Sequence, residues 1–239
     1  KKTAVQQLSN IQGENMKRIV SLIPSSTEIV CALGCGEQLV GCSHECDFPH
    51  FVKSLPTLTE SKFDSEGTSY EIDQRVKAIV QDALSVYRVD VEQLERLQPN
   101  VILTQNQCEV CAVSLKDLEE AIKLFTGKSS PTIVSLEPNG LEDIWSDIRR
   151  VARALDAEEQ ANKLLENLQD RIEKIADKIS QATVQPTVVC IEWIEPLMVA
   201  GNWVPTLVKL AGGIDLLGKE NEHAPWATWE ELQEANPDI

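Results

Sequence analysis

The chain has 239 residues, of which 42% are apolar and 25% charged, a composition that supports a hydrophobic core and one or two globular domains. Its 22 Lys and Arg residues against 38 Asp and Glu give a formal net charge of −16, which disfavours nucleic acid and anionic bilayers as partners. No apolar run is long enough for a membrane span, and we expect a monomer.

The first residues of the chain bear on its localisation. They lack the apolar stretch of a secretory signal, and Met16 directly precedes the first convincing strand. We therefore treat residues 1–16 as an N-terminal extension. If Met16 is the native start, the protein is cytoplasmic; if a signal peptide has been removed, it is periplasmic or otherwise extracytoplasmic.

Short strands and helices alternate along the first half of the chain. Residues 18–23 form an apolar, β-branched run that Pro24 ends, and three later runs of the same kind lie at residues 38–41, 101–104 and 132–136. Residues 25–28 have the Ser-x-x-Glu form of a capping box, which predicts the start of a helix. This alternation predicts a parallel α/β layer.

A long helical stretch follows. Residues 140–179 have a helical pattern with a step near Leu155 and Asp156, and from Ala161 to Ile179 the apolar residues recur as one stripe. A helix over residues 157–181, about 25 residues, would reach roughly 37 Å and suits a bridge between two lobes.

The alternation restarts after Pro186. Residues 187–193 predict a strand and residues 205–211 a helix, and the chain closes with a further helix and Asn-Pro-Asp-Ile, the pattern that opens a strand at residues 99–102. The second lobe is therefore expected to be incomplete at Ile239. The expected domains are the extension (1–16), an N-terminal α/β lobe (17–140), connecting helices with the long backbone helix (141–183) and a partial C-terminal α/β lobe (184–239).

Several short motifs, in this order and spacing, carry a resemblance to a known family. They are RIVSLIPSSTE at 18–28, VGCSHECDFP at 40–49, VEQLERLQPNVIL at 91–103, GNWVP at 201–205, LAGG at 210–213 and residues 226–239. Together they resemble cobalamin-binding proteins, substrate-binding components of ABC importers in the helical-backbone metal-receptor superfamily, which also binds ferric siderophores and haem. The resemblance implies the class III periplasmic-binding-protein fold, in which one long helix joins two Rossmann-like lobes with parallel sheets.

The resemblance also implies a partner and a branch. Family members dock on the importer permease through one glutamate on each lobe, and aligning on the Pro residues that follow places these at Glu92 and Glu230. Residues 43–47 and 105–114, with a helical insert at 70–87 between them, resemble a branch whose members commonly lack an obvious signal peptide.

Cysteine and histidine residues form a candidate metal site. The seven cysteines are odd in number, which favours reduced thiols over a disulfide scaffold. In a doubly wound fold the loops at residues 42–49 and 105–111 could meet, offering His44, Cys46, Cys108 and Cys111 to zinc or another transition metal. The alternatives are that Cys46 and Cys108 are buried core residues, or that Cys108 and Cys111 form a redox pair.

A corrinoid would need aromatic faces and a few polar donors. Trp193, Trp203 and Trp226 are candidates for the faces, with packing under the second sheet as the alternative, and His44 could approach the cobalt. Donors could come from three hydroxyl residues after the first strand, where a plain helix cap is the alternative: Ser25, Ser26 and Thr27.

Three functions are weighed on these grounds. The first is a non-catalytic receptor that closes two lobes on cobalamin or a related metal chelate, such as another corrinoid, haem or a ferric siderophore, and delivers it to an ABC importer. The second is a cytosolic metal- or corrinoid-binding protein with a Cys/His site, uncoupled from transport. An enzyme with a cysteine nucleophile near His44 and Asp47 ranks last, because the sequence contains no Gly-x-Ser-x-Gly, P-loop or Gly-x-Gly-x-x-Gly motif.

Overall fold

The computed structural model describes residues 16–81, 86–106, 118, 119, 122 and 130–239. Within them, no helix combines the length and the apolar character that crossing a bilayer requires. The strands are β1 (Ile19–Ser21), β2 (Leu39–Cys42), β3 (Thr59–Ser61), β4 (Tyr87–Val89), β5 (Val101–Gln105), β6 (Thr132–Leu136), β7 (Thr187–Val188), β8 (Ile191–Trp193), β9 (Met198–Val199) and β10 (Ile214–Asp215). The helices are α1 (Pro24–Ala32), α2 (Ser69–Gln81), α3 (Val91–Leu97), α4 (Leu141–Leu155), α5 (Glu158–Ile179), α6 (Val204–Leu210) and α7 (Trp229–Ala235).

The N-terminal lobe is built on a parallel sheet with strand order β2-β1-β5-β6. Successive residues of a strand face opposite sides, so Ile19 joins a core with α1, α4 and α5, whereas Val20 joins a second core on the other face. Strands β3 and β4 form a separate antiparallel pair after β2, and the predicted helical insert is α2, which connects them.

The long helix joins the lobes as predicted. Helix α4 ends at Leu155, where Asp156 adopts a left-handed φ of 55°, and α5 then runs for 22 residues, about 33 Å at 1.5 Å per residue. At its far end Ile179 meets Gly212 so closely that a Cβ on the glycine would lie 3.2 Å from the Ile179 Cγ2 atom.

The backbone and side-chain hydrogen bonds beside the first strand of the N-terminal lobe recur beside the first strand of the C-terminal lobe. The Asn100 side chain accepts a hydrogen bond from the Arg18 backbone N–H at 2.7 Å, and the Asp238 side chain accepts one from the Thr187 N–H at 2.8 Å. Strand β7 pairs in parallel with β10, and the Val189 N–H donates to the Ile239 carbonyl at 3.0 Å. Residues 238 and 239 thus lie beside β7 as residues 100 and 101 lie beside β1.

Two local predictions were wrong. The Ser-x-x-Glu capping box is absent, because Pro24 is already helical, Ile23 is the N-cap, and no side chain caps the helix. Residues 187–193 do not form one strand: β7 ends at Val188, and β8 pairs with β9 instead, while the Cys190 carbonyl accepts a hydrogen bond from the Ala200 N–H.

Candidate functional site

A cavity of about 340 Å³ lies between the two lobes. Gln105, the last residue of β5, reaches it from the N-terminal lobe, at the edge of a parallel sheet where ligands bind in doubly wound folds. The remaining lining residues come from the C-terminal lobe: Cys190, Ile191, Glu192, Ala200, Gly201, Asn202, Trp203, Val204 and His223.

His223 lines this cavity, and one of its ring nitrogens contacts a backbone carbonyl. Its Nδ1 atom lies 3.0 Å from the Ala224 carbonyl oxygen, which can only accept, so Nδ1 carries the proton in the neutral ring. The Nε2 atom therefore keeps its lone pair. Metal-binding histidines are commonly oriented in this way, with the second ring nitrogen donating to a backbone carbonyl.

Asn202 supplies a second polar group. Among the described residues its buried Nδ2 atom has no hydrogen-bond partner, although buried amide donors are normally paired. The backbone is fixed in a left-handed conformation with φ of 54°; its N–H donates to the Glu222 carbonyl at 2.6 Å and its carbonyl accepts from the Asn221 N–H at 2.8 Å. The loop thus holds an unsatisfied donor beside His223.

Gly201 allows this arrangement. A Cβ at this position would lie 2.6 Å from both the Ala224 nitrogen and the Glu222 carbonyl oxygen, and backbone atoms cannot move aside as a flexible side chain would. The loop of residues 201–203 can therefore press against residues 222–224 only because a side chain is absent at Gly201.

The predicted tryptophans divide between the cavity and its surroundings. Trp203 is half-buried and lines the cavity. Trp193, at the end of β8, is not among the lining residues, and its indole N–H donates to the Glu195 carbonyl at 3.0 Å. Trp226 is 59% exposed, and the Lys77 ammonium of α2 lies 5.7 Å from its ring centroid, a contact between the lobes.

The predicted hydroxyl residues lie mostly inside the N-terminal lobe. Ser26 and Thr27 are buried and both contact the Ser21 hydroxyl, at 2.6 and 2.7 Å, whereas Ser25 is exposed. The hydroxyls of Ser26 and Thr27 also lie within hydrogen-bond distance of the Ile23 carbonyl. Together with the contacts to Ser21, these contacts connect the end of β1 to the first turn of α1.

His44 lies at a second cavity, of about 710 Å³, whose lining among the described residues comes from the N-terminal lobe. It is exposed, its Nδ1 atom is 2.7 Å from the Thr59 hydroxyl, and its ring lies 5.4 Å from the Tyr87 ring. The Tyr87 hydroxyl donates a hydrogen bond to Glu45 Oε1 at 3.0 Å. Burial, together with this negatively charged carboxylate, raises the pKa of Tyr87 to about 12. The structure thus keeps His44 apart from the cavity that contains His223.

Cys46 is buried beside two polar partners. Its Sγ atom lies 3.1 Å from the Thr27 hydroxyl, and the nearby Cys42 thiol donates to the Val52 carbonyl at 3.5 Å. Interaction with the Cys42 thiol lowers the pKa of Cys46 to about 7; burial opposes this shift and the Thr27 hydroxyl adds to it. The interaction with Cys46, together with burial, raises the pKa of Cys42.

The metal prediction is tested only in part by these positions. Cys108 and Cys111 lie outside the described residues. In the part of the chain that the structure describes, no three His, Cys, Asp or Glu side chains come together in a way that could hold a metal ion.

Glu92 and Glu230 occupy matching places on two short helices. Each is the second residue of its helix, α3 or α7, and each is exposed. An N-cap side chain precedes each glutamate, Asp90 in α3 and Thr228 in α7, and a left-handed residue ends each helix. Glu92 and Glu230 therefore occupy equivalent positions, one on each lobe.

Comparison with known proteins identifies the family. A family model described as periplasmic binding protein matches residues 19–239. The chain belongs to this family.

Several relatives share the fold at low sequence identity. An uncharacterized ABC transporter substrate-binding lipoprotein of Bacillus subtilis is 23% identical over 162 residues, which make up 68% of this chain and 41% of that protein. A vitamin B12-binding protein of Yersinia pestis is 20% identical over 235 residues, 97% of this chain and 71% of that protein.

Solved structures agree on the architecture. The periplasmic vitamin B12-binding protein of Vibrio cholerae matches with a TM-score of 0.65 and 17% identity, over 93% of this chain and 74% of that one. The periplasmic haem-binding protein of Roseiflexus sp. RS-1 in its apo form matches with a TM-score of 0.66 and 23% identity, over 94% and 75%. These likenesses establish two Rossmann-like lobes on a helical backbone.

Sequence reasoning missed part of the interlobe site. The GNWVP motif pointed to Trp203 but not to the neighbouring Asn202, and His223 stands alone in the sequence with no local pattern around it. His223 is positioned by contacts between residues 222–224 and residues 201–203. These segments are distant in sequence, so no short-range pattern predicts that they meet.

Proposed function

We propose that this chain is the substrate-binding protein of an ABC importer and captures a metal chelate, a corrinoid or haem, in the cavity between its lobes. The observation that carries the proposal is that His223 lines that cavity together with Asn202, whose Nδ2 atom has no hydrogen-bond partner among the described residues. Relatives named for vitamin B12 and haem binding support the choice of ligand class.

The three side chains suit different parts of such a ligand. The His223 imidazole would bind the metal at an axial position, as neutral imidazole does with iron and cobalt. The Asn202 amide would donate to a carboxylate or amide at the rim of the macrocycle, and the half-buried Trp203 would give an apolar surface for the ring. A ferric siderophore, whose iron is already fully coordinated by oxygen, would gain less from His223.

His44 remains a predicted ligand, but the geometry favours His223. Among the described residues, His44 faces a cavity that the N-terminal lobe lines, whereas His223 faces one that both lobes line. A receptor that encloses its ligand between lobes needs its coordinating group in the second kind of cavity.

The test is a titration of the reduced protein with haem and with aquocobalamin, followed by absorbance. We expect a shift of the Soret band or the corrin bands, and His223→Ala should weaken binding by at least about tenfold, since loss of an outer-sphere partner alone costs that much at metal sites. His44→Ala is the matched control and should bind like the wild type. Unchanged binding by His223→Ala would contradict the proposed role of His223, and no binding of either chelate would contradict the proposed ligand class.

We also propose that Glu92 and Glu230 contact basic residues of the importer permease, which places the protein outside the cytoplasm. Among the described residues, Glu92 forms an ion pair with Arg96 of its own helix at 3.5 Å. Its side chain is 90% exposed, so this ion pair is weak and can exchange partners. Glu92→Ala and Glu230→Ala should reduce stimulation of importer ATPase activity in proteoliposomes. Glu234→Ala, on the same helix as Glu230, is the control and should stimulate normally; equal stimulation by all three variants would refute the docking role.

A further inference from the structure

The segment that carries His223 is bound to the rest of the C-terminal lobe by its backbone. This segment, residues 221–227, is called the His223 segment below. The Val199 N–H donates to the Pro225 carbonyl at 3.1 Å, and Trp226 forms an antiparallel bridge with the first residue of β9. His223 and Trp226 thus belong to one hydrogen-bonded segment, so a displacement of one of them is passed to the other.

The His223 segment also contacts the N-terminal lobe near each of its ends. At one end the Asn221 side chain lies against Gly140, the N-cap of α4, where a Cβ would overlap the Asn221 Oδ1 atom. At the other end the Lys77 ammonium of α2 lies 5.7 Å from the centroid of the Trp226 ring, which is within the range of a cation–π contact. These two contacts therefore help to set the position of His223 relative to the N-terminal lobe.

Helix α2 presents Lys77 to the other lobe but has little burial of its own. The Asp73 carboxylate, one turn earlier, forms an ion pair with the Lys77 ammonium at 2.8 Å, which restrains the side chain. The Lys77 side chain is 49% exposed, and none of the described residues of α2 is buried. A helix that packs so lightly depends on each tertiary contact for its stability. The contact with Trp226 is such a contact, and it crosses from one lobe to the other.

We propose that α2 is an interlobe clasp, in which the contact of Lys77 with Trp226 keeps His223 in position and slows the release of a bound chelate. The effect on release rests on the proposed function, whereas the contact itself needs no ligand. Neither residue lines the interlobe cavity in the part of the chain that the structure describes, so both act through the His223 segment as positioning residues. A cation–π contact at a partly exposed site corresponds to about a two- to fivefold change in an equilibrium constant.

The first test is hydrogen exchange in the ligand-free protein, measured across the lobes. In Trp226→Leu the amides of α2 should exchange about two- to fivefold faster than in the wild type, although the substitution lies in the other lobe. Trp226→Phe keeps an aromatic face and should retain most of the protection. Trp229→Leu, at another exposed tryptophan, is the matched control and should leave α2 unchanged. Unchanged exchange of α2 in Trp226→Leu would overturn the clasp, whether or not a chelate binds.

The second test is the rate at which bound haem passes to excess apomyoglobin, or bound aquocobalamin is lost on dilution. Lys77→Met should release the chelate about two- to fivefold faster, whereas Lys77→Arg keeps the cation and should release it at the wild-type rate. Lys62→Met, at an exposed lysine of the same lobe, is the control for the loss of charge. Adding Trp226→Leu to Lys77→Met should not speed release further, since both substitutions remove the same contact.

The outcomes separate the clasp from the proposed function. Equal release rates for the wild type and Lys77→Met would overturn the positioning role, and the proposed function would stand. A wild type that binds neither haem nor aquocobalamin would refute the proposed function together with the effect on release. The exchange of α2 in Trp226→Leu would then decide on its own whether the clasp exists.

Discussion

Substitution of Gly201 by alanine tests how the interlobe site is held together. The added Cβ would lie 2.6 Å from the Ala224 nitrogen and the Glu222 carbonyl oxygen, and ordinary contact begins near 3.4 Å, so the two loops must separate by about 0.8 Å. The separation strains or breaks the hydrogen bond of 2.6 Å between the Asn202 N–H and the Glu222 carbonyl.

The magnitude follows from two effects. Overpacking against fixed atoms costs about 1–3 kcal/mol, and a weakened backbone hydrogen bond adds about 1 kcal/mol. We therefore expect Gly201→Ala to lower the free energy of unfolding by about 3 kcal/mol, which corresponds to a decrease in Tm of about 6–12 °C for a chain of this size. The same displacement moves Asn202 and His223 apart, so affinity for haem or aquocobalamin should fall by at least about tenfold.

Calorimetry and the absorbance titration measure the two outcomes. Gly36→Ala is the matched control, because its Cβ would meet the movable Phe51 ring at 3.1 Å rather than backbone. That variant should retain ligand affinity and lose less stability. A change in stability below about 1 kcal/mol for Gly201→Ala, with affinity unchanged, would refute the close loop packing on which the site depends.

Three further predictions concern the N-terminal lobe. Thr27→Val should lower the free energy of unfolding by about 1–3 kcal/mol in urea titrations, because it leaves the buried Ser21 hydroxyl without one of its partners; no loss would refute the polar cluster. Tyr87 has a folded pKa of about 12 against an ordinary value near 10, so its neutral form stabilises the fold and that contribution is lost as pH rises from 10 to 12. Unfolding measured at pH 8 and 11 should therefore show a steeper loss of stability in the wild type than in Tyr87→Phe, and equal slopes would contradict the burial of Tyr87 and its contact with Glu45. Ile102→Ala removes a side chain with no exposed surface and should cost about 2–5 kcal/mol by thermal unfolding; less than 1 kcal/mol would place it outside the core.

Periodicity predicted the long helix and the strands of the parallel sheet, whereas the class III fold was implied by the family resemblance. The apolar stripe that includes Ala161 and Leu165 identified the long helix, because those residues must face the core on one side of a 22-residue helix. The apolar runs at residues 101–104 and 132–136 identified strands of the parallel sheet; the first is buried along its length, and in the second Val134 and Leu136 are buried. These features depend on local sequence and on burial alone.

The failures come from competition between local signals and tertiary contacts. Residues 25–28 match a capping box with Ser25 as its N-cap, but the helix starts two residues earlier, at Pro24. The hydroxyls of Ser26 and Thr27 contact buried partners instead. The run at residues 187–193 is rich in β-branched residues throughout, and this pattern does not reveal that its two ends belong to different sheets.

The candidate site was predictable only where one motif carried it. Trp203 lies in a recognisable loop, whereas His223 reaches the cavity because residues 222–224 pack on residues 201–203. His44 and Cys46 are only two residues apart in sequence, yet the exposed imidazole lies at the 710 Å³ cavity of the N-terminal lobe and the thiol is buried beside Thr27. Proximity in sequence did not translate into a shared site, because the turn after Cys42 sends the two side chains to different environments.

The central claim is that a metal chelate binds between the lobes with His223 at its metal. The most direct measurement is an anomalous-difference map, recorded at the iron or cobalt absorption edge from crystals grown with haem or aquocobalamin. The account predicts one peak in the interlobe cavity within coordination distance of the His223 Nε2 atom. A peak in the second cavity, beside His44, with none between the lobes, would contradict it.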